Sequence, residues 1–477
     1  MAPTEHQPHH GPHARECRPA GDPDAPPIFK RLFDLALPVI GLNVLSVLSL
    51  AVDTAMCGRL PNAEDALKAL GFATQVVFLL MVAMMGLVVG AVASVSRAHG
   101  AGDEARVRHV MRQSTQLTVL VSLVVAVVGN LAAPTILRAL GASPDVLGLG
   151  LDYLRPHVGF TVFYYLSILY AGLLRGVGNT RLPFLVALVS NGLNVFLNYG
   201  LILGNYGMPA LGVQGAAIGT VISQAVGVTL LIGLLAAGRV QGLRLPLRPE
   251  AIDGRIARDL FRIGAPAALD MVILNAGFVS IIGMLGRIDE VAVAAHGVGL
   301  RVQALAFIPG LSISQATGAM VGNALGAENV AEAKAVVRSS LVLCLLIMTS
   351  VAVAIVAGAS GLVALFDVPE GSELHALAVE WMRILGYGMP VVGVHIAFVG
   401  MFRGAGATRT SLWINILGTL LVQIPLSWLL GFPLGFGVAG VWAGFPLSFV
   451  VKAALGAMFY RQGAWAQTGT TLRARPA

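Results

Sequence analysis

The stretch Leu37–Gly58, LPVIGLNVLSVLSLAVDTAMCG, decides how the rest of the chain is read. It is apolar over a length that spans a hydrocarbon core of roughly 30 Å. Pro38 stands near its start and one carboxylate, Asp53, lies inside it. An acid at membrane depth costs about 2.5–3.5 kcal/mol on insertion scales, so such residues face a cavity or a partner rather than lipid. Ala55, Met56 and Cys57 continue the apolar run past Asp53, which argues against a carboxylate that is merely wet at a helix end. Asp53 therefore reads as a proton or cation site inside a membrane transporter.

Runs of the same kind recur along the chain. Of 477 residues, 56% are hydrophobic and only 12% charged, about half the charged fraction of a soluble domain. The runs are long and continuous, which excludes a β-barrel of short alternating strands. Cys17, Cys57 and Cys344 form no close pair, so neither a disulfide framework nor a zinc motif is supported. None of the lysines (Lys30, Lys68, Lys334, Lys452) follows a glycine, which excludes a P-loop and hence an ATP-driven pump. GFGVAG at 435–440 reads as a tight turn entering a span.

The expected fold is all-α and polytopic, with twelve transmembrane helices near 32–57, 68–96, 113–137, 150–174, 182–203, 212–237, 257–285, 292–324, 336–366, 374–402, 410–430 and 437–460. The expected organisation is a disordered cytoplasmic tail (1–27), an N-lobe (28–238), a basic cytoplasmic linker (239–256), a C-lobe (257–462) and a second cytoplasmic tail (463–477). His6, His9, His10 and His13 read as part of the first tail rather than as a metal site. Placing the termini in the cytoplasm puts 24 of the 31 Lys and Arg residues on that side, as the positive-inside rule favours. That count assigns Arg175, Arg403 and Lys452 to loops and tail, leaving the spans with few basic residues.

The two halves repeat each other. LLRGVGNTR at 173–181 returns as MFRGAGATR at 401–409, an offset of 228, and Pro38 meets Pro266 at the same offset. Gly100 meets Gly326, and Gly212 and Gly215 meet Gly437 and Gly440, at offsets of 226 and 225. Each repeat holds six spans, an even number. The halves therefore enter the membrane from one side as two six-helix bundles, related by a pseudo-twofold along the membrane normal, with a cleft between them. The repeat breaks at its polar positions. Asp53 maps to Ile281, Asn194 to Val422, Asn198 to Leu426 and Thr220 to Phe445. The polar site thus belongs to the first half. Asn191, Asn194 and Asn198, spaced i, i+3, i+7, share one helix face there.

At these residues the chain resembles the multidrug and toxic compound extrusion (MATE) family. The resemblance rests on AVDTAMCG ending at Gly58, the doubled RGxGxTR loops, NVFLNYG in the fifth span and GVQGAAIGT at 212–220, and it covers about 30–460. It implies a V-shaped exporter driven by inward H⁺ or Na⁺ and needing no cofactor. It also implies a cation site lined by Asp53, Asn194 and Asn198, with Thr220 as a further member. NorM-type members place acids in the seventh and tenth spans. Here LDMVILNAGF and VGVHIAFVGM have none in register, with Asp270 about a turn early and His395 in the tenth span. A DinF-like, N-lobe mechanism is therefore expected. Asp270 reads either as a wet residue near a helix start or, with His395 and Asn191, as a secondary candidate; His395 alone reads equally as a core histidine.

Met81, Met84 and Met85 are the substrate candidates on the second span, because Met surfaces repack. Tyr164, Tyr165 and Tyr170 are stacking candidates for planar cations. The expected protein is a monomeric inner-membrane antiporter of cationic or amphipathic organic compounds, with no role for nucleic acid and no enzymatic activity. The alternatives are a lipid-linked precursor flippase, which calls for a more cationic cavity, and an ion channel or membrane-embedded enzyme.

Overall fold

The computed structural model describes residues 26–238, 240 and 250–467, with nothing stated for the side chain of Ala83. The tail histidines, most of the 239–256 linker and most of the 463–477 tail lie outside the described residues. The described chain is helical. The first half comprises α1 (Ile28–Cys57), α2 (Ala63–Gly100), α3 (Glu104–Ala139), α4 (Pro144–Gly159), α5 (Thr161–Gly176), α6 (Arg181–Leu203) and α7 (Val213–Ala236). The second comprises α8 (Gly254–Leu285), α9 (Glu290–Gly326), α10 (Val330–Ala364), α11 (Glu373–Gly404), α12 (Thr408–Asn415), a π-helical run (Ile416–Gln423), α13 (Ile424–Gly431), α14 (Gly437–Gln462) and a short α15 (Ala464–Gln467).

By length and composition these make twelve crossings, counting α4 and α5, bent by 54° at Phe160, as one span. Several helices outrun the bilayer. At 1.5 Å per residue, the 38 residues of α2 extend about 57 Å, so the second span, expected at 68–96, was too short at both ends. With twelve crossings, the starts of α1 and α8 and the end of α14 share one membrane side, termed the terminal face below.

The repeat is visible in the backbone. Each RGxG loop turns through a left-handed glycine, Gly178 (φ 85°) and Gly406 (φ 73°), a conformation that other residues rarely adopt. The turns before α7 and α14 use Gly212 and Gly437, both at φ 57°. The latter is the GFGVAG segment. The side-chain oxygens of Asp103 and Asn329 cap α3 and α10 at matching positions.

Two bundles result, each with its own core. One is centred on Met84, Tyr165 and Tyr170, the other on Trp381, Trp442 and Phe445. Each lobe lends its first helix to the other. Leu32 and Ala36 of α1 pack into the second-half core with Ile313 and Phe402, and Leu260 of α8 packs into the first-half core. The lobes meet along their terminal-face halves. A Cβ on Gly86 would stand 2.8 Å from the Gly264 carbonyl oxygen, so α2 and α8 touch backbone to backbone. Gly100 lies against the Asn323 backbone and Gly326 against that of Arg97, a pair exchanged by the repeat. Arg97 donates to the Ala405 carbonyl (2.8 Å) and Asn323 to the Gly176 carbonyl (3.1 Å). The lobes are thus sealed together at the terminal face.

Candidate functional site

Asp53 lies nearly five turns past Ala36 on α1 and is buried at 3% exposure. Asn198 of α6 donates its amide to Asp53 and also reaches Asn194 Oδ1 (3.3 Å). Ser49 Oγ donates to the same Asn194 oxygen (3.0 Å), and Asn194 Nδ2 donates to Thr220 Oγ1 of α7 (3.1 Å). The structure therefore brings together four residues singled out from the sequence and adds Ser49, one turn before Asp53. Gly219 permits the arrangement, since the Asn198 amide oxygen fills the space a Cβ would need. That oxygen is buried and has no hydrogen-bond partner among the described residues.

Every partner of Asp53 is neutral. A buried carboxylate without a counter-charge is costly. A proton, or a Na⁺ held by carboxylate, amide and hydroxyl oxygens, supplies the missing charge; such hard oxygen donors suit an alkali or alkaline-earth cation. Asn191 is not part of the cluster. It donates to the Ala187 carbonyl of its own helix (2.8 Å), a local bond that satisfies it without reaching α1 or α7.

Asp270 is not wet. It has 0% exposure because α8 begins at Gly254, four turns earlier, and carries it into the bundle. Arg403 Nη2 (3.1 Å) and Ser411 Oγ (3.0 Å) donate to one of its oxygens and Asn415 Nδ2 to the other. The pairs Asn198–Asp53 and Asn415–Asp270 both span 145 positions. Asp270 and Asn415 each stand eleven residues before Ile281 and Leu426, the register positions of Asp53 and Asn198. The second lobe thus repeats the carboxylate–amide pair three turns nearer the terminal face, and a search for the 145-residue spacing would have found it. Beside it, His395 is buried edge-on to Phe449 at 5.3 Å. Lys452 is fully buried, its ammonium 4.2 Å from the Phe449 ring centre. The π-helical run makes room for it, with the Lys452 stem laid across Gly418.

A cavity of about 380 Å³ lies between the lobes above the seal. Phe78, Met81, Met85, Phe278 and Phe307 form its apolar walls, and Arg175, Arg403 and His395 also line it. Met84 does not. At 100° per residue it turns off the Met81–Met85 stripe and sits at 0% exposure in the first-half core. Tyr165 and Tyr170 are core residues as well; Tyr165 donates to the Leu80 carbonyl (2.8 Å). Tyr164 packs on the same core, between His157 and Tyr165. The expectation of spans poor in basic residues fails too. Arg175 and Arg403 end their helices pointing into the cavity, and Lys452 is inside the bundle rather than in a tail.

The MatE family model matches residues 38–200 and again 266–429, so it finds the repeat, its second match starting at Pro266 as its first does at Pro38. The chain belongs to the MatE family. Among MatE relatives it is 27% identical to a probable multidrug resistance protein NorM of Thermotoga maritima, over 95% of this chain and 96% of that one. It is 30% identical to a probable NorM of Bradyrhizobium diazoefficiens over 91% and 93%, and 26% identical to a probable multidrug resistance protein YoeA of Bacillus subtilis over 90% and 92%. In fold it resembles an outward-facing multidrug resistance MATE transporter (TM-score 0.85, 23% identical, 93% and 97% covered). A MATE crystal structure in a bent conformation is similar in the same way (TM-score 0.84, 22% identical, 93% and 97% covered).

Proposed function

We propose that the protein is a secondary active exporter of small amphipathic organic compounds that acts as a monomer in a bacterial inner membrane with both termini in the cytoplasm. It exchanges its substrate for inward-moving H⁺ or Na⁺ by alternating access, and Asp53, Asn194, Asn198 and Thr220 form the cation site. The observation that carries this reading is a buried carboxylate whose hydrogen-bond partners are all neutral, in a two-lobed molecule whose central cavity is closed at one end. With the termini inside, that closed end is cytoplasmic and the conformation is open to the outside. The coupling is the N-lobe mode of DinF-like members, although two of the three relatives above carry the NorM name. The supporting feature is Arg403, which already neutralises the second-lobe carboxylate.

A cation reaching Asp53 from outside cancels its charge, so the Asn198 donor loses a charged acceptor and α1 repacks against α6 and α7. Pro38 removes a backbone hydrogen bond from α1 and is the natural bend point. One charge crossing 100 mV supplies about 2.3 kcal/mol, more than the roughly 1.4 kcal/mol of a tenfold gradient of neutral substrate. The test is dye efflux from proteoliposomes under separate pH and Na⁺ gradients. Wild type should move dye with one gradient, naming the ion, and Asp53→Asn should lose that dependence. Normal coupling in Asp53→Asn would overturn the proposal. The expectation of cationic substrates is not carried forward, since the charged side chains on the cavity wall are arginines.

A further inference from the structure

The two arginines of the cavity are repeat partners, at positions 175 and 403 of the doubled RGxGxTR motif. Their surroundings differ. Arg403 is neutralised by Asp270, which Ser411 and Asn415 also hold. The register positions of those three in the first half are Leu42, Pro183 and Ala187, all apolar. Arg175 accordingly has no ion-pair or hydrogen-bond partner among the described residues; its buried Nε is unpaired, as is that of Arg403, but no carboxylate answers its charge as Asp270 answers that of Arg403. It nevertheless lines the cavity, as do Asn275 and Gln315, and no carboxylate does so among the described residues. A guanidinium held away from water without a counter-charge is costly unless a ligand supplies that charge. Its planar fork matches carboxylate, sulfonate and phosphate oxygens. The apolar walls of Phe78, Met81, Met85 and Phe278 offer a site for a hydrophobic body, in a volume suited to a drug-sized molecule. A cationic ligand would instead meet a like charge there.

We infer that the central cavity selects amphipathic organic anions, with Arg175 pairing with the anionic group. This rests on the exporter reading above and deepens it. The test is equilibrium binding, which needs no gradient and so stands apart from coupling at Asp53. Fluorescein and rhodamine 6G share a xanthene body and carry opposite charge. Their fluorescence anisotropy is followed with the protein in phosphatidylcholine nanodiscs, with empty nanodiscs subtracted. Wild type should bind fluorescein at least tenfold more tightly than rhodamine 6G. Arg175→Gln should weaken fluorescein binding about tenfold, with Arg175→Lys in between. Asp270→Asn, which frees the second guanidinium, should tighten it severalfold. Competition by 2-naphthoate and by farnesyl diphosphate distinguishes a free organic anion from a lipid-linked one as the source, the better competitor naming it. Preference for rhodamine 6G, binding of neither dye, or folded Arg175→Gln within twofold of wild type would each overturn the inference. So would folded Asp270→Asn with no gain. Loss of gradient-driven transport with anion binding intact would instead count against the exporter reading.

Discussion

The two lobes carry the same helix pairing and the same 145-residue carboxylate–amide spacing, but with different electrical completion. In the first lobe, Asp53 is held by Asn198 and, through Asn194, linked to Thr220 and Ser49, all neutral. In the second, Asp270 sits about 16 Å further toward the terminal face at 1.5 Å per residue, and Arg403 completes it from within the chain. The duplicated fold thus surrounds one carboxylate with neutral partners and pairs the other with an arginine. The arginines divide the opposite way: both line the cavity, but Arg403 is paired with Asp270 and Arg175 has no carboxylate partner among the described residues. Unlike charges left free in one lobe suit an exchanger that takes a cation at one place and an anion at another. Inward H⁺ exchanged for an outward monovalent anion moves two charges in the same electrical sense, about 4.6 kcal/mol per 100 mV.

The sharpest way to break the comparison is to remove each carboxylate in turn. Asp53→Asn should reduce gradient-driven dye efflux by about a hundredfold or more, whereas Asp270→Asn should keep its dependence on the gradient, both read in proteoliposomes. Next is stability. Arg403→Leu strips a fully buried carboxylate of its partner, which costs about 3–5 kcal/mol and should show as a large fall in melting temperature in detergent. Asp270→Asn combined with Arg403→Leu should recover most of it, and equal melting of the single and double variants would contradict the pairing.

The lobe seal gives a smaller effect. Gly86→Ala sets a methyl 2.8 Å from the Gly264 carbonyl oxygen, backbone that cannot swing aside. It should raise maleimide labelling of a Ser96→Cys probe, buried at the same seal, in a background where Cys17, Cys57 and Cys344 are replaced by Ser. The smallest effect is at the junction joining the lobes, where the backbone N–H of Arg255 holds the Asp253 carboxyl below its usual range. Asp253 also touches His109 of α3 (3.4 Å). Asp253→Ala should cost about 1 kcal/mol as a lost helix cap. A depressed carboxylate stabilises above its unfolded pKa and loses that contribution as pH falls through its folded value. The difference from wild type in thermal melts should therefore be full at neutral pH and vanish in acid.

Much of this was legible in the sequence. Apolar runs fix a helical membrane fold because lipid leaves backbone groups no other partners, and motifs at constant offset expose the duplication. Asp53, Asn194, Asn198 and Thr220 stood out because polar residues are costly there. Other features were hidden for physical reasons. The bend at Phe160 and the π-helical run from Ile416 lie in segments as apolar as their neighbours. Asp270 looked wet because its partners Arg403, Ser411 and Asn415 lie more than 130 positions away and only packing brings them to it. Arg175 and Arg403 looked like loop charges because a long side chain at a helix end can reach water or turn inward, and only packing decides which.

If the first lobe alone offers a cation site, the stoichiometry of cation binding to purified protein shows it, by ²²Na⁺ equilibrium dialysis and by proton uptake after a pH jump. A single cation should bind with the same ion preference in wild type and Asp270→Asn, and none in Asp53→Asn. Two cations in wild type, or retention of the single site in Asp53→Asn, would contradict it.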